Sequence, residues 1–164
     1  MFSFAVLTIS DSGFAGQRED LSGQQAIELA RAQGYRLERY AVVSDEQAIV
    51  EKELVALCDS GNVALVLTTG GTGFAPRDVT PEATIAVVEK TCPGIAEAMR
   101  AHSLQFTPRA MLSRATAGIR KKTLIVNLPG SPKAVQECLD CILPSLEHGL
   151  AILTQQVANC ARQG

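Results

Sequence analysis

Apolar residues recur along this 164-residue chain at two spacings. Four runs of strand length lie at residues 4–9, 37–43, 63–68 and 123–128. The first, third and fourth are almost unbroken stretches of Val, Ile, Leu, Phe and Ala, the pattern of strands covered on both faces within a parallel sheet. The second is preceded by Arg36 and interrupted by Glu38 and Arg39, which suits a strand nearer a sheet edge. Between the runs the spacing becomes helical. Val50, Leu54, Leu57 and Cys58 fall on one face, as do Val135, Cys138, Leu139, Ile142 and Leu146. Pro144 is expected to kink or restart that last helix. Strands alternating with helices predict an α/β fold, a three-layer α/β/α arrangement with a mostly parallel central sheet.

The loops divide by chemistry. Those entering strands are plain: Gln33-Gly34, Asp59 to Asn62, and Arg120-Lys121-Lys122. Those leaving strands hold most of the Gly, Ser, Thr and Asp: Ser10 to Gly23, Ser44-Asp45, Thr69 to Thr80, and Pro129-Gly130-Ser131-Pro132. In a parallel sheet all strand exits share one edge, where open α/β folds bind ligands. Four loops therefore converge on one predicted site. The richest reads Thr68-Thr69-Gly70-Gly71-Thr72-Gly73, followed by Arg77-Asp78-Val79-Thr80-Pro81. Its glycines permit positive φ and close approach of a ligand to the main chain, and successive free N–H groups there form an anion-binding concavity. Thr80 with Pro81 predicts an N-cap and first helical position. Ser44 with Gln47 predicts a capping box that would place Asp45 in a first helical turn. Ser131 before Pro132 reads either as an anion-binding helix start or as a plain N-cap.

Composition narrows the field. Hydrophobic residues are 46% and charged residues 20% of the chain, an ordinary globular balance for a single domain over 1–164. A net charge of −2 with scattered Lys and Arg argues against nucleic-acid binding. No apolar run spans a bilayer, and the N-terminus lacks the features of a signal peptide, so no membrane role is expected. The five cysteines lack disulfide-framework spacing. Cys138 and Cys141 form a C-x-x-C on an apolar helical stripe and read as core, and a reducing, cytoplasmic location is expected. Neither a G-x-x-x-x-G-K-[ST] nor a G-x-G-x-x-G motif is present, nor a G-x-S-x-G elbow. His102 and His148 fall in helical segments without metal or triad context.

TTGGTG followed by RDVTPEAT resembles the signature of the MogA/MoaB family, which includes molybdopterin adenylyltransferases and the gephyrin G domain. Ser10-Asp11-Ser12-Gly13, Glu19 to Gly23, Ser44-Asp45-Glu46, Ser113-Arg114 and Asn127 to Pro132 extend the resemblance over nearly the whole chain. The resemblance implies transfer of the adenylyl group of Mg-ATP to molybdopterin with release of pyrophosphate. It implies Asp45 and Asp78 as catalytic residues that hold Mg²⁺. It further implies Ser10, Asp11, Ser22, Gly70, Gly71, Thr72, Gly73, Ser113, Arg114, Gly130 and Ser131 as nucleotide or molybdopterin contacts. Arg77 is a weaker candidate, since an exposed loop Arg is often only solvated. A homotrimer or higher assembly, and a downstream molybdenum-insertion protein as partner, follow from the same resemblance. The rival within the family is a non-catalytic molybdopterin carrier.

Overall fold

The computed structural model describes residues 1–156. Its sheet has strands β1 (Ser3–Ile9), β2 (Arg36–Val43), β3 (Leu65–Thr69), β4 (Lys90–Thr91), β5 (Ala117–Arg120) and β6 (Thr123–Leu128). They lie in the order β2-β1-β3-β6-β5-β4. The β2, β1, β3 and β6 pairings are parallel, whereas β5 and β4 join antiparallel. The helices are the single turn α1 (Asp11–Phe14), then α2 (Leu21–Ala32), α3 (Gln47–Asp59), α4 (Thr80–Val87), α5 (Pro93–Ser103) and α6 (Pro132–Leu153).

Strand alternation divides the core into two layers. Phe4, Val6, Leu65, Leu67, Leu124 and Val126 point to one face and pack against α2, α5 and α6. Ala5, Leu7, Ile9, Val66 and Ile125 point to the other and pack against α3 and α4. Covering both faces is what requires the unbroken apolar runs. The three-layer expectation holds, and the charged strand β2 does lie at an edge.

Three local expectations change. The segment Arg120-Lys121-Lys122 does enter a strand, but from an antiparallel neighbour and not from a helix. It closes a tight β5–β6 hairpin in which Lys121 takes a left-handed backbone (φ 52°). Strands β4 and β5 are too short to show as apolar runs, and Gly118 in β5 lies so close to β4 that a Cβ would meet the Lys90 carbonyl at 2.7 Å. Helix α6 passes through Pro144 as one 22-residue element and does not restart there.

The connection from β1 runs to one face of the sheet and that from β3 to the other, because β1 sits between β2 and β3. Divergent exits open a crevice at the carboxyl ends of the strands. The candidate site lies in it.

Candidate active site

The glycine loop is shaped by contacts that exclude side chains. Past Thr69 the chain turns through Gly70 (φ 87°) and Gly71 (φ 68°). A Cβ on Gly70 would strike the Ile9 carbonyl, and one on Gly71 would strike the Thr80 hydroxyl. Gly70 N–H donates to the Leu128 carbonyl at 3.2 Å, which ties the turn to β6. Thr80 Oγ1 donates to the Gly70 carbonyl at 2.9 Å, and Thr80 N–H donates to the Gly71 carbonyl at 3.1 Å. Thr80 is therefore not the N-cap that the sequence suggests. Val79 occupies the cap, and Thr80 commits its hydroxyl to the glycine turn.

Asp45 lies half-buried opposite this turn, before α3 and outside its first turn. The expected capping box does not form, because Glu46 takes the cap position without a side-chain cap bond. Asp45 instead exchanges bonds with Asp11: Asp11 N–H donates to Asp45 Oδ2 at 2.7 Å, and Asp45 N–H donates to Asp11 Oδ1 at 3.0 Å. This exchange locks the exits of β1 and β2 together. Arg77 closes the rim, with Nε on Asp11 Oδ2 at 2.5 Å and Nη2 on Glu46 Oε1 at 3.0 Å. An Arg that reads as merely solvated in the sequence is thus an anchor for two loops.

The electrostatic consequences differ between the two acids. The Arg77 hydrogen bond, helped by the Asp45 N–H, lowers the Asp11 carboxyl below its ordinary value of 3.8. Burial pushes Asp45 upward despite the Asp11 N–H, and the neighbouring Asp11 and Asp78 carboxylates add to the rise. Asp78 sits in its loop with Oδ2 accepting Ala75 N–H at 3.0 Å.

The floor of the crevice is a closed polar ring that the sequence did not announce. Thr8 and Thr69, paired across β1 and β3, share a 3.0 Å hydrogen bond. Ser22 donates toward Thr69 at 3.2 Å and toward Asp20 Oδ1 at 3.0 Å. Asp20 Oδ2 accepts Thr8 at 2.6 Å and Tyr40 at 2.7 Å, and its Oδ1 accepts Gly23 N–H at 2.8 Å. Burial works against the Asp20 charge, but these donors prevail and hold its carboxyl below 3.8. Tyr40 is pushed up to about 12 by burial and by the Asp20 carboxylate it bonds. Ser22 does not cap α2; Asp20 does. The available signal was Thr8 near the carboxyl end of the first apolar run and Thr68-Thr69 at the end of the third.

All four strand-exit loops reach one cleft of about 230 Å³. Ser10, Ser22, Asp45, Gly70, Gly71, Asp78 and Gly130 line it, joined by Arg18 and Asp20. Ser10 also caps α1 by accepting Gly13 N–H at 3.1 Å. Thr72, Gly73 and Ser113 fall elsewhere. They line an adjoining, mainly apolar pocket of about 430 Å³ between Phe74, α5 and α6. Ser131 caps α6 by accepting Ala134 N–H at 3.2 Å. Arg114 lines neither cavity; its guanidinium bonds to Gly73, Asp78 and Glu82 of the same chain.

Residues 5–148 match the family described as "probable molybdopterin binding domain". The chain belongs to that family. It is 47% identical over 147 residues to a molybdopterin adenylyltransferase of Helicobacter pylori J99, covering 87% of this chain and 82% of that one. It is 47% identical over 139 residues to the Escherichia coli K12 protein of the same name, covering 82% and 70% respectively. The crystal structure of the molybdopterin biosynthesis enzyme MoaB from Thermus thermophilus superposes with a TM-score of 0.89 at 44% identity, covering 94% of this chain and 98% of that one.

In this molybdopterin-binding domain the fit to Mg²⁺ is set by the donor set. Among the described residues no group of three or more His, Cys, Asp or Glu could by itself hold a metal ion. Asp45 and Asp78 nevertheless line one cleft, and the Asp78 carboxylate disfavours the charge of Asp45 there. Two carboxylates beside a glycine turn suit Mg²⁺, which is commonly held by one or two carboxylates and completed by substrate phosphates and water. The residues fit that mode and no all-protein cage. The two described C-x-x-C thiols take no part: burial pushes Cys138 up to about 11, and Cys141 contacts the Ala98 carbonyl at 3.8 Å. Cys160 lies outside the described residues.

Proposed function

We propose that this chain is a molybdopterin adenylyltransferase that uses Mg-ATP in molybdenum cofactor biosynthesis. One observation carries the reading: Asp45 and Asp78 line the same cleft as the glycine turn at Gly70 and Gly71, where Gly70 N–H is tied to Leu128 and the Gly71 amide is left to face a ligand. Amides of such a turn attract phosphate, whereas carboxylates repel it. A site built from both is matched to a phosphate bound together with a cation.

In this reading the cleft takes the nucleotide phosphates, with Asp45 and Asp78 holding Mg²⁺. When bound, Mg²⁺ supplies neutralisation of charge on the reacting phosphates. The adjoining pocket, lined by Thr72, Gly73 and Ser113, offers the apolar walls that a pterin ring requires. A terminal phosphate oxygen of molybdopterin attacks the α-phosphorus of ATP. The bond from that phosphorus to its bridging oxygen breaks, and pyrophosphate leaves with the bonding pair. The nucleophile is already anionic near neutral pH, so the chain needs no strong general base; its task is in-line positioning. Gly71 contributes its amide, Gly70 shapes the turn, the Asp11–Asp45–Arg77 lock fixes the β1 and β2 exits, and Gly130 with the start of α6 closes the remaining side.

The rival reading, a carrier without catalysis, gives no reason for two carboxylates placed in an anion cleft. Incubation with molybdopterin, Mg²⁺ and ATP labelled at the α-phosphate separates the two. The enzyme moves label into molybdopterin and releases an equal amount of pyrophosphate; a carrier binds molybdopterin and leaves ATP intact.

Homo-oligomerisation and a cytoplasmic site of action belong to the same proposal. Phe74, Phe106, Met111 and Leu112 are exposed apolar side chains available for subunit contact. Cys58, Cys92, Cys138 and Cys141 are free thiols, as suits a reducing compartment. Light scattering is expected to give a trimer or larger assembly, and a stable monomer would refute that part. The product would pass to a molybdenum-insertion protein.

A further inference from the structure

The geometry points to Arg114 as a positioning residue that sets the place of Asp78, through a strut completed by Glu82, and not as a contact to substrate. The inference rests on the adenylyltransferase reading for its consequence, but its structural half stands on separate observations.

Asp78 closes a loop that begins at Gly73 and has no regular secondary structure. Phe74, Ala75, Pro76 and Arg77 within it are exposed, so packing alone does not fix it. Arg114 grips both ends of this loop. Its Nε donates to the Gly73 carbonyl at 2.7 Å and its Nη2 donates to the Asp78 carbonyl at 2.8 Å. Its own N–H donates to the Thr72 carbonyl at 2.9 Å, one residue before the loop starts. The remaining edge of the guanidinium faces Glu82 in the first turn of α4, where Nη1 donates to Oε1. The Arg114 hydrogen bond also holds the Glu82 carboxyl below its ordinary value of 4.5. A planar fork with donors on several edges can hold two carbonyls and a carboxylate at once, which a lysine ammonium cannot match. Arg114 has no place in the lining of the acidic cleft or of the apolar pocket.

Asp78 is thus held from inside its loop, where its N–H also donates to the Ala75 carbonyl at 2.9 Å, and from outside, with Arg77 beside it anchored to Asp11 and Glu46. Its side chain accepts Ala75 N–H inside the loop, and its carbonyl is tied from outside by Arg114. The Arg77 anchor acts one residue earlier and on a side chain, so cutting the Arg114 tie leaves the chemical groups of the cleft intact and frees the Asp78 main chain to shift. A carboxylate displaced by about 1 Å is enough to cost on the order of 100-fold in a reaction governed by positioning.

The test compares Arg114→Gln, Arg114→Lys and Glu82→Gln with the unaltered protein by three measurements. These are kcat for pyrophosphate release, the molybdopterin dissociation constant, and amide hydrogen exchange across residues 73–79. The strut predicts that Arg114→Gln lowers kcat roughly 10- to 100-fold, leaves molybdopterin affinity within about threefold, and speeds exchange across the loop. Arg114→Lys fails to restore kcat, and Glu82→Gln gives an intermediate loss in the same direction. Weakened molybdopterin binding with unchanged kcat would make Arg114 a substrate contact and overturn the inference. Unchanged exchange at residues 73–79 in Arg114→Gln would overturn it as well. Should the unaltered protein release no pyrophosphate, the adenylyltransferase reading falls on that arm alone, and the exchange comparison still decides whether Arg114 positions the loop.

Discussion

The Asp45 carboxyl is raised above 3.8 chiefly by burial, with the Asp11 and Asp78 carboxylates adding to the rise and the Asp11 N–H and Arg77 opposing it. A carboxyl raised in the folded state binds more protons there than in the unfolded chain. Its contribution to stability therefore falls as pH rises from 3.8 through the folded value. Asp45→Asn keeps an acceptor for the Asp11 N–H while removing the charge. It is expected to melt higher than the unaltered protein at pH 7, an advantage that disappears below pH 3.8. The same variant should lose about 100-fold or more in turnover, the order of loss when one preorganised charged group is removed. Thermal melts across pH, read beside turnover, check both halves; a variant that is less stable at pH 7 would refute the charge argument. At this scale the sequence was only half legible. Asp45 stood out as an acid after a strand, but its neighbours suggested a capping box, because Ser44 and Gln47 have the right spacing. Nothing in the spacing reveals that Asp11, 34 residues away, exchanges two bonds with it.

Among the elements, α6 shows how tertiary packing overrides a local breaker. Pro144 has no N–H to donate, yet Leu139, Ile142, Leu143, Leu146 and Leu150 are buried on both sides of it. Their burial, worth about 1.5–3 kcal/mol for each large apolar side chain, outweighs a helix-interior proline cost of about 3 kcal/mol. Pro144 itself is exposed, so its replacement sacrifices little packing. Pro144→Ala should stabilise the protein by about 1–3 kcal/mol, measured by denaturant unfolding, with turnover unaltered; an equal or lower stability would contradict this account of α6. The long strands and helices were legible because each carries a full period of apolar positions. The β4–β5 pair was not, since Lys90–Thr91 is two exposed residues and β5 is four residues long. The role of Thr80 was misread for a related reason. Thr-Pro is a sound helix-start signal, but the glycine turn ten residues earlier competes for the hydroxyl.

For the whole molecule, the sheet order explains why the site is assembled from distant segments. Placing β1 between β2 and β3 sends successive connections to opposite faces, and the loops after β1, β2, β3 and β6 meet over the crevice. That convergence was readable in the sequence as a contrast between plain loops entering strands and polar loops leaving them. The second, apolar pocket was not readable, because its walls come from α5, α6 and the segment around Arg109 to Ser113, whose apolar positions look like ordinary core. The central claim is that the acidic cleft beside the glycine turn transfers an adenylyl group. Its most direct test is pyrophosphate release from Mg-ATP in the presence of molybdopterin, comparing the unaltered protein with Asp78→Ala while molybdopterin binding is measured in parallel. Molybdopterin-dependent release by the unaltered protein, and none by Asp78→Ala at undiminished molybdopterin binding, is the predicted result. Normal release by Asp78→Ala, or no release by the unaltered protein, would contradict it.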